Sequence, residues 1–98
     1  MTEQQKIAAI EALAEELLWT RETCTWKQAG SEMKEHFRRQ TLKKLRVLNE
    51  DGYLNAKDVY EFLITGFWHN ATEGQKLKCE NAVQAMREIL EEEMTEAI

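Results

Sequence analysis

The sequence predicts an all-α protein: a compact bundle of four main helices with a short extra helical turn, in one domain spanning residues 1–98. Three observations carry this. The chain has no proline and only four glycines, so the strongest breakers of regular structure are scarce. Long segments repeat apolar residues at helical spacing. Three of them begin with residues that cap helix N-termini.

The first helix is predicted over about Thr2 to Thr20, with Thr2 and Gln5 spaced as a capping box. Ile7, Ile10, Leu13, Ala14, Leu17 and Leu18 form a stripe about 140° wide at 100° per residue. Trp19 falls on the side away from that stripe. The threonine-rich stretch that follows has low helix propensity, and a single turn is predicted over Trp26 to Ala29, capped by Thr25. Gly30-Ser31 then reads as a stop and a new cap.

The next helix is predicted from Ser31 to Leu48, with Met33, Phe37, Thr41, Leu45 and Leu48 on its inner face. Asn49-Glu50-Asp51-Gly52 is the clearest turn, and Asn55 caps the following helix with Asp58 three residues on. That helix is predicted over Ala56 to Trp68. Its Val59, Tyr60, Phe62, Leu63, Ile64, Phe67 and Trp68 cover roughly 240° of its circumference, far more than a surface helix needs. It is therefore expected either to be central or to turn one face to a partner. Thr72 and Gln75 make a further capping box. The last helix has the stripe Cys79, Ala82, Val83, Met86, Ile89, Leu90, Met94 and Ala97, and a strongly acidic end. Acids there oppose the helix dipole, so this end is expected to fray or to be held by a basic surface.

The net charge is −5, unevenly distributed. Residues 27–46 carry seven basic and two acidic side chains, whereas residues 47–75 carry one basic and five acidic. Segregated charge steers association with charged partners. No apolar run approaches a membrane span, and the first residues lack a signal-peptide pattern, so a cytoplasmic protein without membrane contact is expected. The distant Cys24 and Cys79 are expected to be free thiols.

Two local resemblances bear on function. The stretch Val47 to Asp58 resembles a calcium loop of the EF-hand or dockerin type. With Gly52 at the sixth position, Asn49, Asp51, Asn55 and Asp58 are its candidate ligands. Val47 offers no side-chain oxygen at the first position, and Asp58 is shorter than the usual glutamate at the twelfth. The alternative is a helix corner in which Gly52 supplies a positive φ and Asn55 caps. The stretch Phe37 to Leu54 resembles the recognition helix and turn of a winged-helix DNA binder. That implies phosphate contacts from Arg38, Arg39, Lys43, Lys44 and Arg46. A two-stranded wing should follow, but the sequence there reads as helix.

No catalytic motif is present, and Cys24, His36, His69 and Cys79 contain no close pair of the kind zinc sites use. The expected function is therefore non-catalytic and needs no cofactor. It is that of a small regulatory or accessory protein that binds another protein, of the inhibitor, immunity or phage-modulator type, with self-association an expected accompaniment. The candidate contact residues are Trp19, Tyr60, Ile64 and Trp68, because aromatic and large apolar side chains that do not fit a monomer core anchor interfaces. The alternative is nucleic-acid binding through the basic helix 34–46, with Arg39, Lys43 and Arg46 as its face.

Overall fold

Local capping sets most of the architecture. The computed structural model describes residues 1–96. Helix α1 (Glu3–Glu22) starts in a complete capping box: the Gln5 N–H donates to Thr2 Oγ1 at 3.1 Å, and the Thr2 N–H donates to Gln5 Oε1 at 2.8 Å. It ends at Thr23, whose φ of 51° is left-handed, a strained choice for a β-branched residue. The predicted extra turn is present. Thr25 and Gln28 repeat the same reciprocal pairing, and the Ala29 N–H reaches Thr25 O at 3.2 Å.

Helix α2 (Ser31–Glu50) is capped by Gly30 with no side-chain bond, so Ser31 is the first helical residue and not the cap. Gly52, at φ +82°, turns the chain after α2. Asn55 then caps α3 (Ala56–Val59), accepting from the Asp58 N–H at 2.9 Å. Here the structure departs from the expected helix to Trp68. Helix α3 runs into a π-helical turn (Tyr60–Ile64) that stops at Thr65, again left-handed at φ 62°. Phe67 is extended, and Trp68–Asn70 forms a single 3-10 turn. Helix α4 (Glu73–Glu96) begins at Thr72, which exchanges hydrogen bonds of 3.0 and 3.1 Å with Gln75. The fold is thus the predicted all-α bundle of four helices and a short turn.

Helix α1 is the central element, packing on both α2 and α4. Leu13, Leu17 and Leu18 meet Leu45 of α2, Val59 and Leu63 of the α3 segment, and Cys79 and Met86 of α4 in one buried core. Each fully buried leucine contributes about 1.5–3 kcal/mol of transfer free energy. The buried Thr41 hydroxyl is satisfied by donating to Phe37 O at 2.7 Å. Arg87 of α4 donates to Leu54 O at 2.9 Å and ties the loop before α3 to the bundle.

Some inner-face expectations are corrected. Ile7, Met33 and Met94 are exposed, while Lys6 is buried. Position 6 therefore lies closer to the packed seam than position 7, and the lysine stem fills space there while its ammonium reaches carboxylates at the rim. Ala97, placed in the last stripe by its spacing, lies outside the described residues. Among the described residues, no helix is long and apolar enough to cross a membrane.

Candidate docking surface

The expected contact residues divide into three groups. Trp19 stands at the surface, 53% exposed. Tyr60 and Ile64 do not: both are core, and as monomer surface they are corrected here. Val59, Tyr60, Leu63 and Ile64 are all buried and share one stripe about 140° wide at 100° per residue, so Tyr60 and Ile64 belong to the core side and Phe62 to the side away from it. The Tyr60 ring lies over Gly66, where an added Cβ would sit 3.0 Å from the phenol oxygen. Trp68 is half-buried, its ring edge-on to Tyr60 at 6.0 Å with the Lys76 ammonium 5.4 Å above it.

The segment's surplus apolar surface sits on other residues. Phe62 is 53% and Phe67 68% exposed, and Tyr53 in the preceding loop is 57% exposed. Phe67 stacks on His69 with ring centres 5.7 Å apart. The 240° apolar spread includes Phe62 and Phe67 but does not by itself separate them from Tyr60, Ile64 and Trp68. Tyr53 carried no periodic signal because it lies in a loop.

Tyr53 and Phe62 form the two walls of a shallow groove floored by Leu48 and edged by Asp58 and Glu61. Local structure fixes each part. The Tyr53 N–H donates to Leu48 O at 2.8 Å, so the turn at Gly52 folds the tyrosine back beside the end of α2. Asp58 is oriented by the Asn55 amide, which donates to its Oδ2 at 2.6 Å. Phe62 points outward between the buried Tyr60 and Leu63.

A second apolar cleft, lined by Ile7, Ile10, Leu42 and Ile89, lies where α1, α2 and α4 meet. Charges cross its rim in pairs. Lys6 bridges Glu3 and Glu92, and Arg38 bridges Glu11 and Glu35. Those carboxylates, Glu3 before Glu92, hold the Lys6 ammonium above the usual lysine range. Nearby, Arg46 grips Glu93 with two hydrogen bonds of 2.9 and 2.5 Å, and Glu93 is held below the usual carboxylate range by them. The acidic end of α4 is therefore held by a basic surface.

The same pairing alters the basic face. Arg46 is engaged with Glu93, and Arg39 donates to Glu35 at 3.1 Å while remaining largely exposed. Lys43 is exposed and makes no ion pair among the described residues. Burial, then the nearby Arg21, lowers the affinity of Lys44 for its proton. The turn after α2 leads into α3, and no strand occurs among the described residues, so the winged-helix likeness stops at the turn.

The remaining candidates do not assemble. Asn49 lies inside α2, and Asn55 and Asp58 bond to each other as a cap. With Gly52 at φ +82°, this is the helix-corner geometry. Among the described residues, no three His, Cys, Asp or Glu side chains converge as a metal site would, and both cysteines are free. Burial pushes the Cys79 thiol up to about 12, with the Glu16 and Glu80 carboxylates adding to the effect. A thiol that stays protonated is a poor nucleophile and a poor metal ligand. The fold and surface define a small helical bundle with an exposed aromatic corner. Comparison with protein-family models, curated proteins and solved structures finds no match.

Proposed function

We propose that the protein is a small non-catalytic regulatory or accessory protein that acts by binding another protein in the cytoplasm. The observation that carries this reading is the aromatic corner. Phe62, Phe67 and Tyr53 stand more than half exposed beside a core that had room for Tyr60 and Leu63. Exposed aromatics are the anchors from which protein interfaces take most of their energy. Trp19 adds a further exposed anchor on α1. The free, well-separated cysteines accord with a reducing compartment. Inhibitors, immunity proteins and phage modulators are the kinds of protein that work in this way without chemistry of their own.

The test is affinity capture from the native host, followed by calorimetry on the purified pair. A stoichiometric partner is expected, and Phe67→Ala with Phe62→Ala should weaken it by about tenfold or more, or about 1.4 kcal/mol. Light scattering separates self-association, in which the partner is a second copy. Absence of any stoichiometric protein complex would reject the reading. The nucleic-acid alternative rests on the outward part of the basic face, Arg39 and Lys43. It predicts steeply salt-dependent retardation of short DNA or RNA, abolished by Arg39→Glu with Lys43→Glu.

A further inference from the structure

We infer that the groove between Tyr53 and Phe62 receives a cationic, apolar-anchored segment of the partner protein. This rests on the protein-binding reading above and adds the chemistry of the partner. Around the cleft of α1, α2 and α4, cations and carboxylates neutralise each other within the chain. Around the Tyr53–Phe62 groove they do not. Asp51, Asp58 and Glu61 make no ion pair among the described residues. Lys57, the one cation of residues 47–75, is exposed and also makes none.

The groove thus presents two aromatic walls and an apolar floor, edged by two carboxylates, Asp58 and Glu61, that make no ion pair among the described residues. A partner side chain with an apolar stem and a cationic head, lysine or arginine, satisfies both parts at once. Its stem lies against Tyr53 and Phe62, and its head reaches Asp58 or Glu61. The same rim disfavours other occupants. Two copies joined symmetrically through this groove would set Asp58 and Glu61 against their own counterparts, and like charges across an interface are costly. Phosphate backbones and anionic lipid surfaces are repelled for the same reason.

The experiment uses a fluorescent amphipathic helical peptide of leucine and lysine, with a leucine–glutamate peptide as counterpart, titrated with the full chain. The lysine peptide should bind, with NMR shifts centred on Tyr53, Asp58, Glu61 and Phe62, and the glutamate peptide should not. Phe62→Ala and Glu61→Lys should each weaken binding by about tenfold or more. Phe62 is exposed and Glu61 partly so, and circular dichroism should show unchanged folding. Shifts centred elsewhere, equal binding of the two peptides, or indifference to Phe62→Ala would overturn the inference. If the lysine peptide fails while a captured partner still binds, the groove assignment falls and the protein-binding reading stands. If neither binds, both fall.

Discussion

The seam where α1, α2 and α4 meet and the corner between α2 and α3 both expose apolar side chains, yet their charges are arranged in opposite ways. At the seam, ion pairs join three helices: Lys6 with Glu92 and Arg38 with Glu11 beside the cleft that holds Ile7, and Arg46 with Glu93. These pairs neutralise an acidic helix end that would otherwise oppose its own dipole. At the corner, Tyr53 and Phe62 are edged by Asp58 and Glu61, which make no ion pair among the described residues. The seam closes the bundle on itself. The corner has the composition of an interface, with aromatic anchors and a charged rim that lacks its complement. The difference shows that counting basic and acidic residues along a chain does not locate a binding face. What matters is the charge left over after the fold has paired the rest.

The sharpest way to break this contrast lies in two adjacent residues. Leu63 is 1% exposed and Phe62 53% exposed. Leu63→Ala should cost about 2–5 kcal/mol, as deletions in tightly packed cores do. Phe62→Ala should stay within about 0.5 kcal/mol of the parent in stability, because little surrounds its ring. Urea unfolding with a shared m-value measures both. Equal costs would place Phe62 in the core and remove the corner as an interface.

Much of the fold was legible because it is locally encoded. The pairs Thr2–Gln5, Asn55–Asp58 and Thr72–Gln75 are read directly from spacing, and each makes its expected bond. Helices α1, α2 and α4 keep a 3.6-residue period, so most of their buried stripes follow from it. Two kinds of feature escaped. The first is the stop at Ile64. Thr65 adopts a left-handed conformation that sequence patterns assign to glycine or asparagine, so the helix ends before Phe67 and Trp68, which the apolar pattern places on it. The second is the exchange of Ile7 for Lys6 at the seam. It depends on carboxylates at positions 3 and 92, the latter brought close only by the tertiary fold. The exposed Trp19 was legible for the opposite reason, since it needed only the period of a single regular helix.

A second test sharpens the seam and the core against alkaline pH. The Cys79 thiol stays protonated in the folded chain up to about 12, while the unfolded thiol ionises near 9. Between those values the folded state binds more protons, so stability falls as pH rises. Lys6 acts with the same sign. Its raised folded affinity stabilises the chain fully below the ordinary lysine value, and that contribution is lost at higher pH. The melting temperature should therefore decline through this alkaline window. Cys79→Ala and Lys6→Met should each flatten the decline, whatever they do to stability at neutral pH. A slope unchanged in both variants would mean that neither group is held as the structure places it.

The smallest expected effect concerns the pair that most directly separates the two regions. Arg46 holds the Glu93 carboxyl below its ordinary range, so the pair stabilises the chain above the usual carboxylate pKa, and this is lost as pH falls through the depressed value. Both side chains are partly exposed, so the effect is small and screened by salt. The difference in melting temperature between the parent and Arg46→Gln should be modest near neutral pH and should shrink in acid and in high salt. Arg46→Gln should leave binding of the lysine peptide at the Tyr53–Phe62 groove intact, because that groove draws on different carboxylates. If it instead redirects the peptide to the freed Glu93, then pairing inside the fold decides which acidic surface is open to a partner. The corner would owe its role to the charges that the seam has already used.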